Sequence, residues 1–566
     1  MKWSERVGRL VAIPLIVSLV PFACAWALWQ ENGNPICTAP DDQDEVRVTS
    51  DGEGGAVLVW EDNQIFAQRV DSSGAMMWDM DGISICTARS TERYPRVVSD
   101  GAGGAIIAWE DYRGSLIGGK NIYAQRVDAS GNLVWSPLGV AICTATGDQF
   151  SPRVVPDGQG GAIIVWRDCR DGSSNADIYV QRVGPLGVVK WSGNGVAVCT
   201  ASGDQDSPEI VSDGAGGTIV AWQDFRSNSD YDIYAQLVDL SGVVKWTGGG
   251  VAISAASGNQ TRPQIATDGA GGAIITWRDS PGGSGDIYAQ RVNGSGTVQW
   301  VANVVPICTA MGDQDQPEIV SDGAGGAIII WHDMRNLDNY DIYAQLVDSL
   351  GVVRWVGNGV GICVEEYGQM DPTITSDGAG GAIVTWRDYR NANHWDIYAQ
   401  RVDTSGVEGW TVGGVSVCME IDNQFYPRIV SDGAGGAIIG WEDHRGGGDY
   451  DIYAQRLTAD GEFVGVVDEV VVPVRASELS QNVPNPFNPL THITFRVAVP
   501  GEARLRVYDI AGRLVRTLVA DWREPGVYSE VWDGKGDEGN ALPSGVYFYS
   551  IKAGHFVATR KMVLLH

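Results

Sequence analysis

The chain has 566 residues, of which 74 are glycines, and its 70 acidic residues against 40 basic residues give a formal charge of −30. One hydrophobic core does not extend over so long a chain, so several structural units are expected. The negative charge repels phosphate backbones and anionic lipid surfaces, and we therefore exclude nucleic acid as an expected partner.

The first 27 residues have the organisation of an export signal. Basic residues precede an apolar run that ends at Ala27, and alanines at positions 23, 25 and 27 suit cleavage. The run is too short, and too closely followed by a strand, to be a membrane anchor. We predict a signal peptide over residues 1–27, a mature chain that begins near Trp26 or Leu28 without a transmembrane anchor, and a protein that is secreted or lies on the outer cell surface.

One motif recurs eight times between residues 28 and 465. Its anchoring tryptophans are Trp60, Trp109, Trp166, Trp222, Trp277, Trp331, Trp386 and Trp441. A regular period of about 50 residues is typical of repeat architectures. Within one copy, such as residues 208–246, short apolar segments alternate with glycine-rich turns and polar loops, and no helical period occurs. Each copy therefore predicts four antiparallel strands, as in a propeller blade.

The two ends of the repeat region predict a closed ring. The chain enters the motif at Trp29 on a fourth-strand segment, and the eighth copy stops after its third strand at Leu457. The ends would then complete one blade together, which removes two exposed sheet edges. We predict an all-β fold with an eight-bladed propeller over residues 28–465. The alternative is an open solenoid of eight units, which should begin and end with polar capping repeats.

Polar residues that recur in every copy predict structural roles, because a catalytic group is needed only once. An aspartate lies two residues after each anchoring tryptophan, and a glutamine lies near the end of each third strand. We expect both to satisfy hydrogen bonds inside the blade. An arginine lies four residues after the tryptophan in six copies, and we expect it to pair with an acid of the same loop.

The cysteines predict buried thiols rather than disulfides. Seven of the nine share one position in the motif, and Ser254 takes that position in the remaining copy. Equivalent positions on neighbouring blades should lie beyond the roughly 7 Å limit for bridging Cα atoms. We therefore predict unpaired, buried cysteines.

The loops between the second and third strands differ most between copies. We predict ligand-contact residues there, namely Tyr231, Tyr340, His394 and Trp395. Aromatic rings held on a rigid scaffold suit stacking on sugars or protein surfaces. The alternative is that these loops vary without function. His332, His394 and His444 also break the repeat, but the sequence shows no partner for them, and we predict no catalytic residue.

Acidic loops raise calcium as a hypothesis. Residues 204–206, 228–232 and 313–315 carry clustered aspartates, but they lack the oxygen spacing and the closing glutamate of an EF-hand loop. We therefore predict no metal site and no cofactor, with calcium kept as an alternative to solvated turn residues.

A different domain follows a predicted linker at residues 466–479. N-P-F-N-P at 485–489, V-Y-D at 507–509, W-D-G at 532–534 and G-V-Y at 545–547 lie among alternating strand segments. These motifs resemble those of the C-terminal sorting domain of type IX secretion cargo and of the related FlgD-type Ig-like domain. The resemblance implies a small Ig-like sandwich over residues 480–566, with the type IX secretion machinery as its partner. It implies nothing about the activity of the cargo.

Two classes of function fit this organisation. The first is an exported, non-catalytic binding or structural module that presents its loops to an unknown protein or glycan. The alternative is a secreted hydrolase or lyase that acts on polysaccharide. An enzyme needs acid, base or nucleophile residues that break the repeat near the ring axis. Because the sequence shows no such group with a partner, we predict that the protein is not an enzyme.

Overall fold

The computed structural model describes residues 29–88, 90–113, 119–300, 304–464, 478–482, 484–497, 501–523, 526–553 and 556–565. The chain divides into two compact units, Met1–Val466 and Val467–His566. The predicted signal peptide and nearly all of the predicted linker lie outside the described residues. Over the described ranges the regular structure is all β, and no helix with the length and apolarity of a membrane span occurs there.

Eight four-stranded antiparallel sheets form the first unit, and we number them as blades 1 to 8 in chain order. The first strands, which surround the axis, are β2 (Asp44–Ser50), β6 (Glu92–Ser99), β10 (Gln149–Pro156), β14 (Gln205–Ser212), β18 (Asn259–Thr267), β22 (Gln314–Ser321), β26 (Gln369–Ser376) and β30 (Gln424–Ser431). The second strands are β3 (Ala56–Asp62), β7 (Ala105–Asp111), β11 (Ala162–Asp168), β15 (Thr218–Asp224), β19 (Ala273–Ser280), β23 (Ala327–Asp333), β27 (Ala382–Asp388) and β31 (Ala437–Asp443).

The outer half of each blade is made of the third and fourth strands. The third strands are β4 (Gln64–Val70), β8 (Asn121–Val127), β12 (Asp177–Val183), β16 (Asp232–Val238), β20 (Asp286–Val292), β24 (Asp341–Val347), β28 (Asp396–Val402) and β32 (Asp451–Leu457). The fourth strands are β1 (Asn34–Cys37), β5 (Ile83–Ser84), β9 (Val140–Cys143), β13 (Val196–Cys199), β17 (Val251–Ser254), β21 (Val305–Cys308), β25 (Val360–Cys363) and β29 (Val415–Cys418).

The ring closes through the eighth blade. Its sheet has the order β1-β32-β31-β30, and Asn34 of β1 pairs with Ala454 of β32. The predicted eight-bladed propeller, closed by strands from both ends of the repeat region, is confirmed, and the open solenoid is excluded.

The core of each blade lies around the second strand. These strands are buried along nearly their whole length, because a neighbouring blade covers each face. The anchoring tryptophans are fully buried. A glycine with positive φ precedes the fourth strand in seven of the eight blades, and Val304 takes its place in blade 5. The reason is steric: at Gly250 (φ +92°) a Cβ would lie 2.5 Å from the Trp222 ring. Burial of apolar surface between blades therefore supplies the main stabilisation of the ring.

The repeated aspartate and arginine form one buried cluster, shown here for blade 4. Trp222 Nε1 donates a 2.7 Å hydrogen bond to Asp224, and the Arg226 guanidinium pairs with the same carboxylate at 2.6 Å. The guanidinium also stacks on Tyr234 at 3.7 Å. The thiol of Cys199, from blade 3, lies 3.8 Å from Asp224 and joins the two blades. The predicted structural roles of the aspartate and the arginine are confirmed.

Two blades lack this arginine, and they show what it does. Gln64 and Pro281 take its place in blades 1 and 5. In those blades the indole nitrogens of Trp60 and Trp277 have no hydrogen-bond partner among the described residues. The arginine therefore holds the aspartate against the tryptophan, and a blade folds without it.

The cysteines have the predicted state. The eight cysteines in the described part of the chain are all buried and unpaired. Burial raises the pKa of Cys199 to about 11, so its thiol stays protonated and can donate a hydrogen bond. The sequence interpretation missed this polar contact between blades, because it treated the position as a small apolar residue.

The second unit contains two sheets. One has the order β33-β34-β37 and the other the order β36-β35-β38-β39. Their bounds are β33 (Glu478–Leu479), β34 (Thr491–Val497), β35 (Gly501–Tyr508), β36 (Leu514–Arg523), β37 (Gly526–Trp532), β38 (Gly545–Ala553) and β39 (Phe556–Leu564). Phe487, from the N-P-F-N-P motif, packs on Trp532 at 5.4 Å between ring centres, and both side chains belong to the buried core of this small sandwich.

Candidate functional site

A cavity of about 480 Å³ lies on the axis of the ring, because one residue from the first strand of every blade lines it. These eight residues occupy the same place in the motif, directly after the proline of the first strand or, in blade 1, after Val46. In blade order they are Arg47, Arg96, Arg153, Glu209, Gln264, Glu318, Thr373 and Arg428. We call them the axial ring.

The axial ring breaks the repeat in the charge of its side chains. Blades 8, 1, 2 and 3, which are consecutive around the ring, each contribute an arginine. The remaining half carries two glutamates, a glutamine and a threonine. An eightfold scaffold thus places two chemically different halves around one cavity.

A backbone feature recurs two residues before each member of the axial ring. The residue before the proline has positive φ in every blade, although none of the eight is a glycine. These residues are Glu45, Tyr94, Ser151, Ser207, Arg262, Gln316, Asp371 and Tyr426, with φ between 47° and 56°. The strand register shifts at the same point, which identifies a β-bulge. Such a conformation costs about 1 kcal/mol or more per residue, so the surrounding sheet must hold it in place.

Glu209 and Glu318 face the cavity from different environments. Glu209 pairs with Arg153, with 2.9 Å between Oε1 and Nε. Glu318 accepts a 3.3 Å hydrogen bond from Gln264 and has no ion pair among the described residues. Desolvation in the cavity and the nearby charge of Glu209 raise the pKa of Glu318 to about 7, against the opposing effect of arginines across the axis. One carboxyl group therefore has a pKa raised into the neutral range, while the other forms an ion pair.

The arginine half has few counter-charges. Arg47 pairs with Glu45 at 2.6 Å. Among the described residues Arg96 and Arg428 form no ion pair, and each donates to the carbonyl of the proline before it, at 2.8 and 3.1 Å. Desolvation, followed by the charge of Arg47, lowers the pKa of Arg96 well below its usual range. The arrangement concentrates positive charge inside a protein of strongly negative net charge.

An adjoining cavity of about 380 Å³ shares Arg47, Arg428 and Tyr426 with the axial site. It also contains Glu442, whose pKa is raised to about 8 by desolvation and by the charge of Asp44. A second protonated carboxyl group therefore lies beside the axial ring, on the side of blade 8.

The sequence-predicted loop residues are only partly brought together. Tyr340 and Trp395 line one groove of about 790 Å³ between blades 6 and 7, together with Tyr367 and Tyr389. Tyr231 lies in another blade, where it packs on Phe225 at 4.9 Å. The roles of these residues in ligand contact stay predictions.

One side chain contacts a residue of the groove and a residue of the axial cavity. The Arg387 guanidinium lies over the Trp395 ring at 4.5 Å, and its Nε is 2.7 Å from a carboxylate oxygen of Asp371. Asp371 itself lines the axial cavity. A ligand that fills both sites would pass over Arg387.

The three histidines that break the repeat do not form a site. His332 is buried against Tyr340, and desolvation lowers its pKa to about 4. Nδ1 of His394 lies 2.9 Å from Asp396, at the base of its own loop. His444 contacts Gly448 in another loop. No two of the three share a contact in the described structure, so they do not act as a unit.

One buried group has atoms close enough to hold a metal ion. Cys86, Glu92 and Asp111 place ligand atoms within 4.8 Å of one another. Arg113 already lies among them, 2.5 Å from Asp111 and 3.4 Å from the Cys86 sulfur, so a guanidinium takes the place of a cation. In the predicted acidic loops Asp313 is likewise engaged by Arg278 at 2.7 Å. Calcium stays a hypothesis.

The sequence contains a pattern that could have identified the axial ring. The eight residues after the proline are polar or charged, and their signs change between copies. In one copy such a residue is an ordinary polar residue on a short strand. Only the superposition of all eight copies on a closed ring places two glutamates and four arginines in one cavity.

Comparison with known proteins gives a family match for part of the second unit. The family model of the FlgD Ig-like domain matches residues 490–555. No curated protein matches the chain. The match confirms the resemblance of the second unit to this domain, while its role in type IX sorting stays a prediction.

Solved propeller structures resemble the chain at low identity. An α-L-arabinanase from Penicillium chrysogenum is 15% identical, with 52% of this chain and 88% of that chain covered and a TM-score of 0.34. An endo-arabinase from Bacteroides thetaiotaomicron is 14% identical, with 50% and 100% covered and a TM-score of 0.29. An α-L-arabinofuranosidase from Fusarium graminearum is 10% identical, with 65% and 93% covered and a TM-score of 0.34.

These findings correct one prediction. The prediction that the protein is not an enzyme is wrong, because the similar structures are glycoside hydrolases. It rested on the absence of one-off acid and base residues near the axis, and Glu209 and Glu318 occupy that place. At such identities and TM-scores the likeness carries no argument about substrate, so the chemistry must be argued from the axial cavity.

Proposed function

We propose that the protein hydrolyses a glycosidic bond of a polysaccharide in the axial cavity. The observation that carries this proposal is the pair Glu209 and Glu318, two carboxyl groups on one cavity, of which one is ion-paired with Arg153 and the other has a raised pKa. Glycoside hydrolysis uses two such groups, one to protonate the leaving oxygen and one to act as a carboxylate base or nucleophile.

The environments assign the two roles. Glu318, with its pKa of about 7, keeps its proton in about half of the molecules at pH 7 and is the proposed proton donor. Glu209 is ion-paired with Arg153 and is the proposed base or nucleophile. Because the two residues come from blades 4 and 6, the sugar would lie across blade 5, where Gln264 can bind a hydroxyl group.

The groove beside the cavity supports a polymeric substrate. The rings of Tyr340 and Trp395 offer apolar faces with polar edges, which suit stacking on sugar units beyond the cleaved one. Arg387 contacts both Trp395 in the groove and Asp371 at the cavity. A chain of several sugars could therefore contact both sites.

The test is release of reducing ends from a panel of neutral and acidic polysaccharides. Wild-type protein should cleave at least one of them, and Glu318→Gln should lower kcat by about 10² or more, as expected for loss of a general acid. Activity should fall as pH rises through about 7, because Glu318 then loses its proton.

Two variants with the same chemical change serve as controls. Glu53→Gln changes an exposed glutamate in the glycine-rich turn between β2 and β3 and should leave kcat unchanged. Glu442→Gln tests the protonated carboxyl group of the adjoining cavity. If Glu442→Gln lost activity while Glu318→Gln kept full activity, the proton donor would be Glu442, and the assignment to Glu318 would be contradicted. No cleavage of any polysaccharide by folded wild-type protein would contradict the proposed function.

We also propose that the protein is exported and that residues 480–566 are recognised by the type IX secretion machinery. The export-signal pattern of residues 1–27, the N-P-F-N-P motif and the FlgD Ig-like match support this. Deletion of residues 480–566 in the native host should leave the propeller in the periplasm, as measured by cell fractionation. Unchanged surface display or release of the truncated chain would contradict it.

A further inference from the structure

Four guanidinium groups on one cavity need an explanation that the fold does not supply. Arg428, Arg47, Arg96 and Arg153 come from consecutive blades and all line the axial site. The same position holds Gln264 in blade 5 and Thr373 in blade 7, so a blade folds without an arginine there. The cluster is therefore a property of the site and not of the repeat.

Two of the four charges have no partner of opposite sign. Arg153 is neutralised by Glu209, and Arg47 by Glu45. In the part of the chain that the structure describes, Arg96 and Arg428 contact only backbone carbonyl groups. Both side chains line the axial cavity, where charges are screened less than in bulk water.

The proximity of these guanidinium groups lowers the pKa values of two of them. Desolvation and the charge of Arg428 lower the pKa of Arg47 to about 9. The pKa of Arg96 is lowered by desolvation and by Arg47 and Arg153. Like charges confined in this way are costly unless an anion joins them. The guanidinium fork matches the two oxygens of a carboxylate or the oxygens of a sulfate.

We propose that the ligand of the axial cavity carries an oxyanion, a carboxylate or a sulfate group on a sugar, and that Arg96 and Arg428 bind it with help from Arg47. This inference rests on the proposed function, whose substrate class it narrows to acidic polysaccharides. In a ring of eight blades, blade 2 lies opposite blade 6. Arg96 therefore binds the charged group on the side of the cavity opposite to Glu318, which lies at the scissile bond.

The experiment uses the full chain with Glu318→Gln, so that binding is measured without cleavage. Calorimetric titrations compare oligogalacturonate, its neutral methyl ester and a sulfated galactan oligosaccharide. At least one acidic oligosaccharide should bind ten times or more as tightly as the methyl ester. Preference for oligogalacturonate identifies a carboxylate site, and preference for the sulfated oligosaccharide identifies a sulfate site.

Arginine variants then locate the contact. Arg96→Gln and Arg428→Gln, each added to Glu318→Gln, should weaken binding of the preferred acid ten- to a hundredfold, the range for hydrogen bonds to charged groups. Arg354→Gln, an exposed arginine outside the cavity, should not change it. Equal binding of the methyl ester, or acid binding that is unchanged in both cavity variants, would overturn the inference.

Thermal unfolding supplies a readout that depends on no sugar. Inorganic sulfate should raise the Tm of wild-type protein more than that of the double variant Arg96→Gln/Arg428→Gln, because a ligand stabilises only the state that binds it. Equal shifts in the two proteins would count against an anion site.

The outcomes separate the inference from the function on which it rests. Arginine-dependent binding of an acidic oligosaccharide without turnover by wild-type protein would overturn the hydrolase and keep the anion site. Turnover of a neutral polysaccharide that depends on Glu318, without any effect of the arginine variants, would keep the hydrolase and overturn the anion site.

Discussion

The interior of each blade and the axial ring are built from the same eight copies of one motif, yet they differ in how far the copies diverge. The second strand has a buried tryptophan and an aspartate in every blade, and six blades complete the cluster with an arginine. The position after the proline of the first strand holds four residue types, namely arginine, glutamate, glutamine and threonine, and so has no fixed charge. The tryptophan position, which packs in the blade interior, holds the same residue type in every blade, because the fold requires it. A position that lines the axial cavity can differ between blades without loss of the fold.

The first prediction, with the largest expected effect, concerns the packing of the blade interior. Trp222→Ala removes a fully buried indole and should lower the free energy of unfolding by about 3–5 kcal/mol, measured by chemical denaturation. Val412→Ala, at a largely exposed side chain, is the control and should change little. A small effect of Trp222→Ala would show that the blade interior does not carry the stability of the ring.

The second prediction concerns a buried residue of the blade interior that differs from its equivalents in the other blades. Glu92 is fully buried at the position where the other seven blades have a glutamine, and burial raises its pKa to about 7. In the unfolded chain the ordinary pKa is about 4.5, so the folded state loses stability as pH rises from about 4.5 to 7. Glu92→Gln should remove this loss and stabilise the protein by about 1–3 kcal/mol at pH 8, with little effect at pH 4.

Denaturation of both proteins at the two pH values measures the difference. The same gain at pH 4 and pH 8 would mean that ionisation of Glu92 is not the cause. A loss of stability at pH 8 would mean that the carboxylate has a stabilising partner.

The third and smallest effect concerns the contact between blades. Cys199→Ser repeats a substitution that blade 4 already carries at Ser254, and a hydroxyl group can also donate to Asp224. We expect a loss of about 1 kcal/mol or less, by the same denaturation measurement. A loss above about 3 kcal/mol would show that the sulfur packs in a way that serine cannot replace.

The division between interior and axis also explains what could be predicted from the sequence. The eight copies, the four strands of each blade, the closure through β1 and the unpaired cysteines follow from patterns that recur in every copy, such as Trp222 with Asp224. A pattern that recurs in eight copies is less ambiguous than one that occurs once. The structure confirms these predictions.

The candidate site could not be predicted in this way, because it depends on differences between copies. Glu209 and Glu318 are 109 positions apart in the printed numbering, and only ring closure brings them to one cavity. The desolvation of Glu318 and the ion pair between Glu209 and Arg153 depend on the folded ring, and a linear sequence does not display them. In the sequence, His394 and Trp395 stand out within their own loops, whereas the axial glutamates do not. The prediction of a non-enzymatic module, which is wrong, followed from this difference.

The measurement that tests the central claim most directly compares two acids of blade 6, Glu318 on the axis and Asp333 in the interior. Asp333 accepts hydrogen bonds from Trp331 and pairs with Arg335 at 2.6 Å. With a polysaccharide that the wild-type protein cleaves, Glu318→Gln should lower kcat by about 10² or more and leave Tm nearly unchanged. Asp333→Asn should lower stability by about 3–5 kcal/mol and leave kcat of the folded fraction intact. Full activity in Glu318→Gln, or loss of activity in folded Asp333→Asn, would contradict the account.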